Sequence, residues 1–393
     1  MLSPELIIEA ERQLTICNAC RYCEEFCAVF PAIELRTDFN GDDVLYLANL
    51  CHDCRECYYA CQYAPPHEFA INIPQVLTQV RHETYRTYSW PGFLARVGQL
   101  GTWATVGLAA GLAGVFLLLT GIAGFSELGH GHSGPGAFYA VVPWLAMLIP
   151  ALALGIFAVA ALVIGAVKFM IATGPSPRDL VPTRAALGAL ADAMSLRYLR
   201  GPDSAGCSYP ADKPSPARVV FHSLVAYGFL TDFASTGAAA IWQDFLGVRP
   251  PYPILSVPVI LGIVGGAAIL VGVAGLLGLR RRSDAGPSAA AMTALDRAFL
   301  VLLGLVCASG LLLMALRSTP ALAVLLDVHL GTVAALFLTM PYGKFAHGIY
   351  RYAALVRYRL EMRHAGHPAN TDAADHDATN VTTTAGLPEG GTA

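Results

Sequence analysis

The sequence predicts a mainly α-helical protein in two parts, a small cysteine-rich helical domain followed by a six-helix transmembrane bundle. Three observations predict it. The chain of 393 residues is 55% hydrophobic and only 13% charged, against about 25% charged in average soluble proteins. Six apolar runs are each long enough to cross ~30 Å of hydrocarbon as a helix. Eight of the ten cysteines precede those runs, in two copies of one pattern. A net charge of −3 with no basic patch argues against a nucleic-acid partner.

The first element, residues 1–90, holds the cysteines. Cys17, Cys20, Cys23 and Cys27 read C-x2-C-x2-C-x3-C, and so do Cys51, Cys54, Cys57 and Cys61. Bacterial-type ferredoxins hold [4Fe–4S] clusters with this spacing, and the fourth cysteine ligates the other cluster. The expected sets are therefore Cys17, Cys20, Cys23 and Cys61 on one cluster, and Cys51, Cys54, Cys57 and Cys27 on the other. The domain is expected to be an α-helical, ferredoxin-like, two-cluster domain. Zinc fits less well, since it takes four ligands, usually as two pairs. Disulfides fit worse still. Met1–Ala10 is acidic and amphipathic and lacks the basic-then-apolar order of a secretory leader, so a reducing cytoplasm is expected. Cys207 and Cys307 stand alone and read as a loop thiol and a helix-packing residue.

The second element, residues 91–350, contains apolar runs at roughly 98–124, 139–171, 219–246, 254–279, 294–317 and 321–348. Lysine and arginine collect in the 172–217 loop, in Arg280-Arg281-Arg282 and in Arg351, Arg357, Arg359 and Arg363. The loops at 125–138 and 247–253 hold only Arg249. The positive-inside bias then places both termini on the cytoplasmic side of a bacterial inner membrane. Within the 172–217 loop, residues 183–200, with Leu187, Leu190, Met194 and Leu196 on related faces, predict a short cytoplasmic helix that docks against the cysteine domain. The third element, residues 351–393, reads as a cytoplasmic and largely disordered tail.

Ionisable residues inside spans usually have a function. His329 and His347 are eighteen residues apart on the expected last span, about 27 Å along one helix face. His222 begins the third span at the depth of His347. A b-type haem with His222 and His347 as axial ligands is expected, and His329 is a candidate for a second haem or a quinone site. His130 and His132, in the outer loop, read as solvated residues with a possible reach to His329. A quinone carbonyl needs a polar partner and a proton source, for which Asp232 is the first candidate and Lys344 the second.

Two resemblances add to this. Pro341 to His347, with His329 upstream, resembles the last haem-bearing helix of the nitrate reductase gamma-subunit superfamily, and Arg218–Phe229 resembles its other ligand helix. Two-haem members carry a second histidine about ten residues further on, where this chain has Asp232. The run Cys61-Gln62-Tyr63-Ala64-Pro65-Pro66-His67-Glu68-Phe69-Ala70-Ile71-Asn72-Ile73-Pro74 resembles the tricarballylate- and citrate-utilisation protein B family, and so does the domain order. That resemblance implies a membrane electron-transfer subunit. It would re-oxidise the FAD of a partner flavoprotein, a tricarballylate dehydrogenase, and deliver the electrons to quinone. The alternative is the membrane subunit of a heterodisulfide-reductase-like or other anaerobic oxidoreductase complex. A transporter is disfavoured by the few intramembrane charges and the lack of repeated broken helices.

Overall fold

The computed structural model describes residues 3–124, 131, 134–180, 183–201 and 205–366. The N-terminal domain comprises α1 (Pro4–Cys20), α2 (Val29–Glu34), α3 (Gly41–Leu50), the single-turn α4 (Glu56–Tyr59) and α5 (Ile73–Tyr88). Local chemistry sets the boundaries. Asn40 caps α3, its Oδ1 accepting from the Asp42 and Asp43 N–H groups at 3.0 Å each, with both acids at the positive end of the helix dipole. Asn72 caps α5, and Pro74 sits in its first turn where no N–H is needed. Helix α3 is buried along Val44–Leu50 between Ala10 and Leu14 of α1 and Val76, Leu77 and Val80 of α5.

The remainder runs α6 (Thr102–Gly124), the short α7 (Ala137–Val141), α8 (Trp144–Thr173), α9 (Arg184–Met194), an antiparallel two-residue ribbon of β1 (Cys207–Ser208) and β2 (Pro214–Ser215), then α10 (Ala217–Asp244), α11 (Val257–Arg281), α12 (Ala290–Leu316), α13 (Leu322–Thr339) and α14 (His347–His364). Among the described residues, six helices are long and apolar enough to cross a membrane: α6, α8, α10, α11, α12 and α13. The protein is a multi-pass membrane protein. Leu118, Ile122, Ile149, Ile156 and Val159 are exposed on its outside, as side chains facing hydrocarbon should be. Between helices in lipid, close approach depends on small residues. A Cβ on Gly272 of α11 would lie 2.7 Å from the Phe221 carbonyl of α10, and one on Gly331 of α13 would strike the Ala113 backbone of α6.

Three expectations are corrected. The last span does not run unbroken to 348. Pro341 has no N–H, and its ring would clash with the carbonyl four residues back, so the helix stops. Thr339 O then accepts from the Tyr342 N–H (3.1 Å) and the Gly343 N–H (2.8 Å), and a separate helix begins at His347. His329 and His347 are therefore on different helices. Secondly, 351–364 is not tail. Tyr350, Ala353, Ala354, Leu355 and Val356 are buried, and Arg357 and Glu361 form an ion network with Asp43 and Arg36 of the cysteine domain. The rest of the expected tail, 367–393, lies outside the described residues, as do His130 and His132. Thirdly, the chief partner of α9 is α14, which in turn packs on α3 of the cysteine domain. Ala185, Ala186, Ala189 and Asp192 are buried against α14, with Asp192 paired to Arg359 at 2.7 Å, while Leu187, Leu190 and Met194 are exposed. Alanines allow the two helices a closer approach than leucines would.

Candidate functional site

Left-handed turns shape both cysteine motifs. After α1, Arg21 (φ 56°) reverses the chain and returns its N–H to Cys17 O. In the second motif Asp53 (φ 55°) and Arg55 (φ 70°) do the same. Non-glycine residues rarely take this conformation, and here a long-range contact holds it. The Arg55 guanidinium is buried, donates to Ser283 Oγ (2.6 Å) and Ser288 Oγ (2.8 Å) between α11 and α12, and lies over the Tyr209 ring.

The motifs exchange their last cysteines. Cys17, Cys20, Cys23 and Cys61 line one cavity of about 230 Å³, which Cys57 also reaches. Burial, then the neighbouring Cys61, Cys23 and Cys20, pushes the Cys17 thiol up to about 12. Cys27 instead joins the second motif: a hydrogen bond with Cys54, then burial beside Cys51 and Cys57, pushes its thiol well up. Among the described residues, no three Cys, His, Asp or Glu side chains converge on a single-ion site. The cysteines surround a larger volume.

His222 of α10 and His347 of α14 meet as expected from their depth, although by a different route. Their ring centroids are 6.1 Å apart and their planes 85° from parallel. His347 Nδ1 lies 2.6 Å from Lys344 O; with Nδ1–H donating there, Nε2 is left as the basic nitrogen. Burial, then the charges of Lys344 and Arg351, holds the His347 ring well below its ordinary value and hence neutral. His222 Nδ1 is buried with no hydrogen-bond partner among the described residues. His329 is elsewhere, its Nδ1 3.1 Å from Ser309 Oγ and its ring against Gly310. Asp232 accepts from the Cys307 thiol at 3.8 Å. Lys344 pairs with Asp296 of α12 at 2.8 Å, and Arg280 completes that cluster.

Comparison with known proteins matches the Fer4-like domain of citrate utilization protein B to residues 10–87 and citrate utilization protein B itself to residues 98–368. The chain belongs to the citrate utilization protein B family. Citrate utilization protein B of Escherichia coli is 42% identical over 364 residues, covering 90% of this chain and 92% of the relative. No solved structure matches. The Fer4-like match spans both cysteine motifs, so for this citrate utilization protein B relative an iron–sulfur electron-transfer role is supported by family as well as by spacing.

Some residues of the site were missed by sequence reasoning. Cys207 is not an ordinary loop thiol: it is fully buried, packs with Cys54, Leu199 and Tyr209, and donates to Leu199 O at 2.9 Å. Cys307 is more than packing, since it serves Asp232. Asp327, wholly buried on α13 and bonded to Thr120 Oγ1 at 3.2 Å, was visible as the one acid in an apolar run. Arg55 and His52 are buried where the cysteine domain meets the 205–289 segments. Nothing in their local sequence marks this.

Proposed function

We propose that this chain is the membrane electron-transfer subunit of a citrate- or tricarballylate-utilising system. It would accept electrons from a cytoplasmic FAD-dependent flavoprotein and deliver them to membrane quinone. Two [4Fe–4S] clusters and one b haem supply the single-electron chemistry when bound, which lets a two-electron flavin be emptied stepwise. The observation that carries the reading is the pair of histidines meeting directly beneath a double cysteine motif.

The residues fit those groups. Cys17, Cys20, Cys23 and Cys61 would hold one cluster, and Cys51, Cys54, Cys57 and Cys27 the other. Burial makes the Cys17 and Cys23 thiols resist ionisation, as the Cys54 hydrogen bond and burial do for Cys27, and a cationic centre reverses that. His222 and His347, with ring centres 6.1 Å apart and the His222 Nδ1 buried without a partner among the described residues, would hold the haem iron. The Nδ1–H bond of His347 orients its ring for ligation through Nε2, as ligating histidines generally require.

For the quinone, Asp232 beside the Cys307 thiol is the candidate proton donor. Lys344 is tied to Asp296 and is the less available of the two. His329, hydrogen-bonded to Ser309, is assigned to the outer half of the bundle, where it would serve a second haem or a quinone. The basic loops support cytoplasmic termini and inner-membrane placement. The printed name of the Escherichia coli relative favours a citrate pathway over a heterodisulfide-reductase-like complex.

The deciding experiment is an optical spectrum of the purified full chain with iron, sulfide and haem quantitation. The reading expects about eight non-haem iron, about eight sulfide and one protohaem per chain. A preparation from anaerobic cells that holds zinc alone, with no haem band, would overturn it.

A further inference from the structure

The two cysteine sets differ in what lies behind them. Apart from the thiol contact of Cys27 with Cys54, the hydrogen bonds of the 17–27 loop stay within residues 17–36 among the described residues: Arg21 N–H to Cys17 O, Glu24 N–H to Arg21 O, Phe26 N–H to Cys23 O and Asn18 Nδ2 to Arg36 O. The Cys51–Asp53 backbone is instead gripped from the membrane helix α10 and from α14. Arg351 Nη2 donates to Cys51 O at 2.7 Å. Arg218 donates to Asp53 O and, at 3.3 Å, to His52 O.

Each of these arginines lies one helical turn from a histidine. Arg218 and His222 are four residues apart on α10, and His347 and Arg351 four apart on α14. Residues at that spacing share a helix face. One face of each helix therefore presents its histidine to the other helix and its arginine to the second cysteine loop. Arg218 is further fixed over the Tyr209 ring, 4.8 Å from its centre, with Arg55 also against that ring at 4.5 Å. Arg351 Nε is buried and has no hydrogen-bond partner among the described residues.

We propose that Arg218 and Arg351 are positioning residues that clamp the Cys51/Cys54/Cys57/Cys27 set, and not the Cys17/Cys20/Cys23/Cys61 set, onto the two histidine helices, and that their charge raises the reduction potential of the cluster that set holds. The proposal rests on the cluster reading above and adds an order to it: the second set is the membrane-facing end, and the first set faces the soluble partner. Reduction adds negative charge to a cluster. Two nearby guanidiniums stabilise that form, more strongly where water is excluded.

The test is a redox titration of full-length chain in membranes, with both cluster signals followed by electron paramagnetic resonance and the haem followed optically. In Arg351→Gln, and further in Arg218→Gln/Arg351→Gln, one cluster should move to lower potential while the other stays. The moving signal should be the one lost in Cys54→Ala and kept in Cys20→Ala. Arg351→Lys, which keeps the charge, should return most of the shift; a merely structural role would not follow charge. Equal shifts of both clusters, no shift, or a shift confined to the Cys20-dependent cluster overturns the proposal. Should the glutamine variants fail to assemble, the unsubstituted chain decides it. Oxidised haem should speed the spin relaxation of the Cys54-dependent signal more than that of the Cys20-dependent one, and the reverse order overturns the proposal. Failure of the underlying reading is distinct, because it shows as missing cluster signals rather than as the wrong cluster moving.

Discussion

The two cysteine motifs have the same spacing and opposite settings. Around Cys17–Cys27 the loop satisfies itself, Tyr22 beside it is 67% exposed, and the cavity is lined wholly by residues of the N-terminal domain. Around Cys51–Cys57 the backbone is held by Arg218 of α10 and Arg351 of α14, Arg55 reaches the connection between α11 and α12, and Cys207 packs on Cys54. A repeated motif supplies the same ligand geometry twice. Its neighbours, drawn from hundreds of residues away, leave one set within the N-terminal domain and make the other a joint with α10 and α14.

The comparison is broken most directly by removing one set at a time. Cys20→Ala and Cys54→Ala should each lower non-haem iron from about eight to about four per chain. Only Cys54→Ala should also alter the haem environment, seen as a shifted or broadened band in the reduced spectrum. Identical spectra from the two variants would erase the distinction. Next in size is His347→Ala, which should abolish the reduced haem bands and leave non-haem iron and sulfide unchanged. Surviving bands would refute the His222–His347 pairing.

Gly272→Ala probes the scaffold under the clamp. A methyl there meets the Phe221 carbonyl, one residue before His222, and overpacking of this kind costs about 1–3 kcal/mol. Thermal unfolding in detergent should come earlier, with His222 loosened and the first cysteine set undisturbed. Asp232→Asn should leave haem reduction by the flavoprotein unchanged and slow its re-oxidation by added quinone. An unchanged rate removes Asp232 from the quinone site, and haem loss would make it structural.

The smallest effect concerns His82 on α5. Burial lowers its pKa against the opposing pull of Glu83, with Arg86 and Lys344 adding to the lowering. The unfolded chain therefore takes up a proton near pH 6.5 that the folded chain refuses. The resulting stability is present above that pH and is lost as pH falls through it. His82→Gln should flatten the slope of stability against pH below 6.5. An unaltered slope would show that His82 titrates freely.

What the sequence by itself determined is whatever depends on neighbours along the chain. The cysteine spacing, the grouping of Cys61 with the first motif, five of six spans and the shared depth of His222 and His347 all follow from short-range patterns: a three-residue repeat, an apolar length, a position within a span. The break at Pro341 was also written locally, but the length of the surrounding apolar run hid it. Only the tertiary structure decided which face of α9 docks, that Cys207 lies on Cys54, that residues 351–364 are a packed helix, and that Arg218 and Arg351 grip one cysteine loop and not the other. Cys51 and Arg351 are 300 residues apart. An arginine at a helix end reads as a basic flank when seen alone, and it becomes a clamp only when folding brings an unsatisfied carbonyl to it in a place that water does not reach.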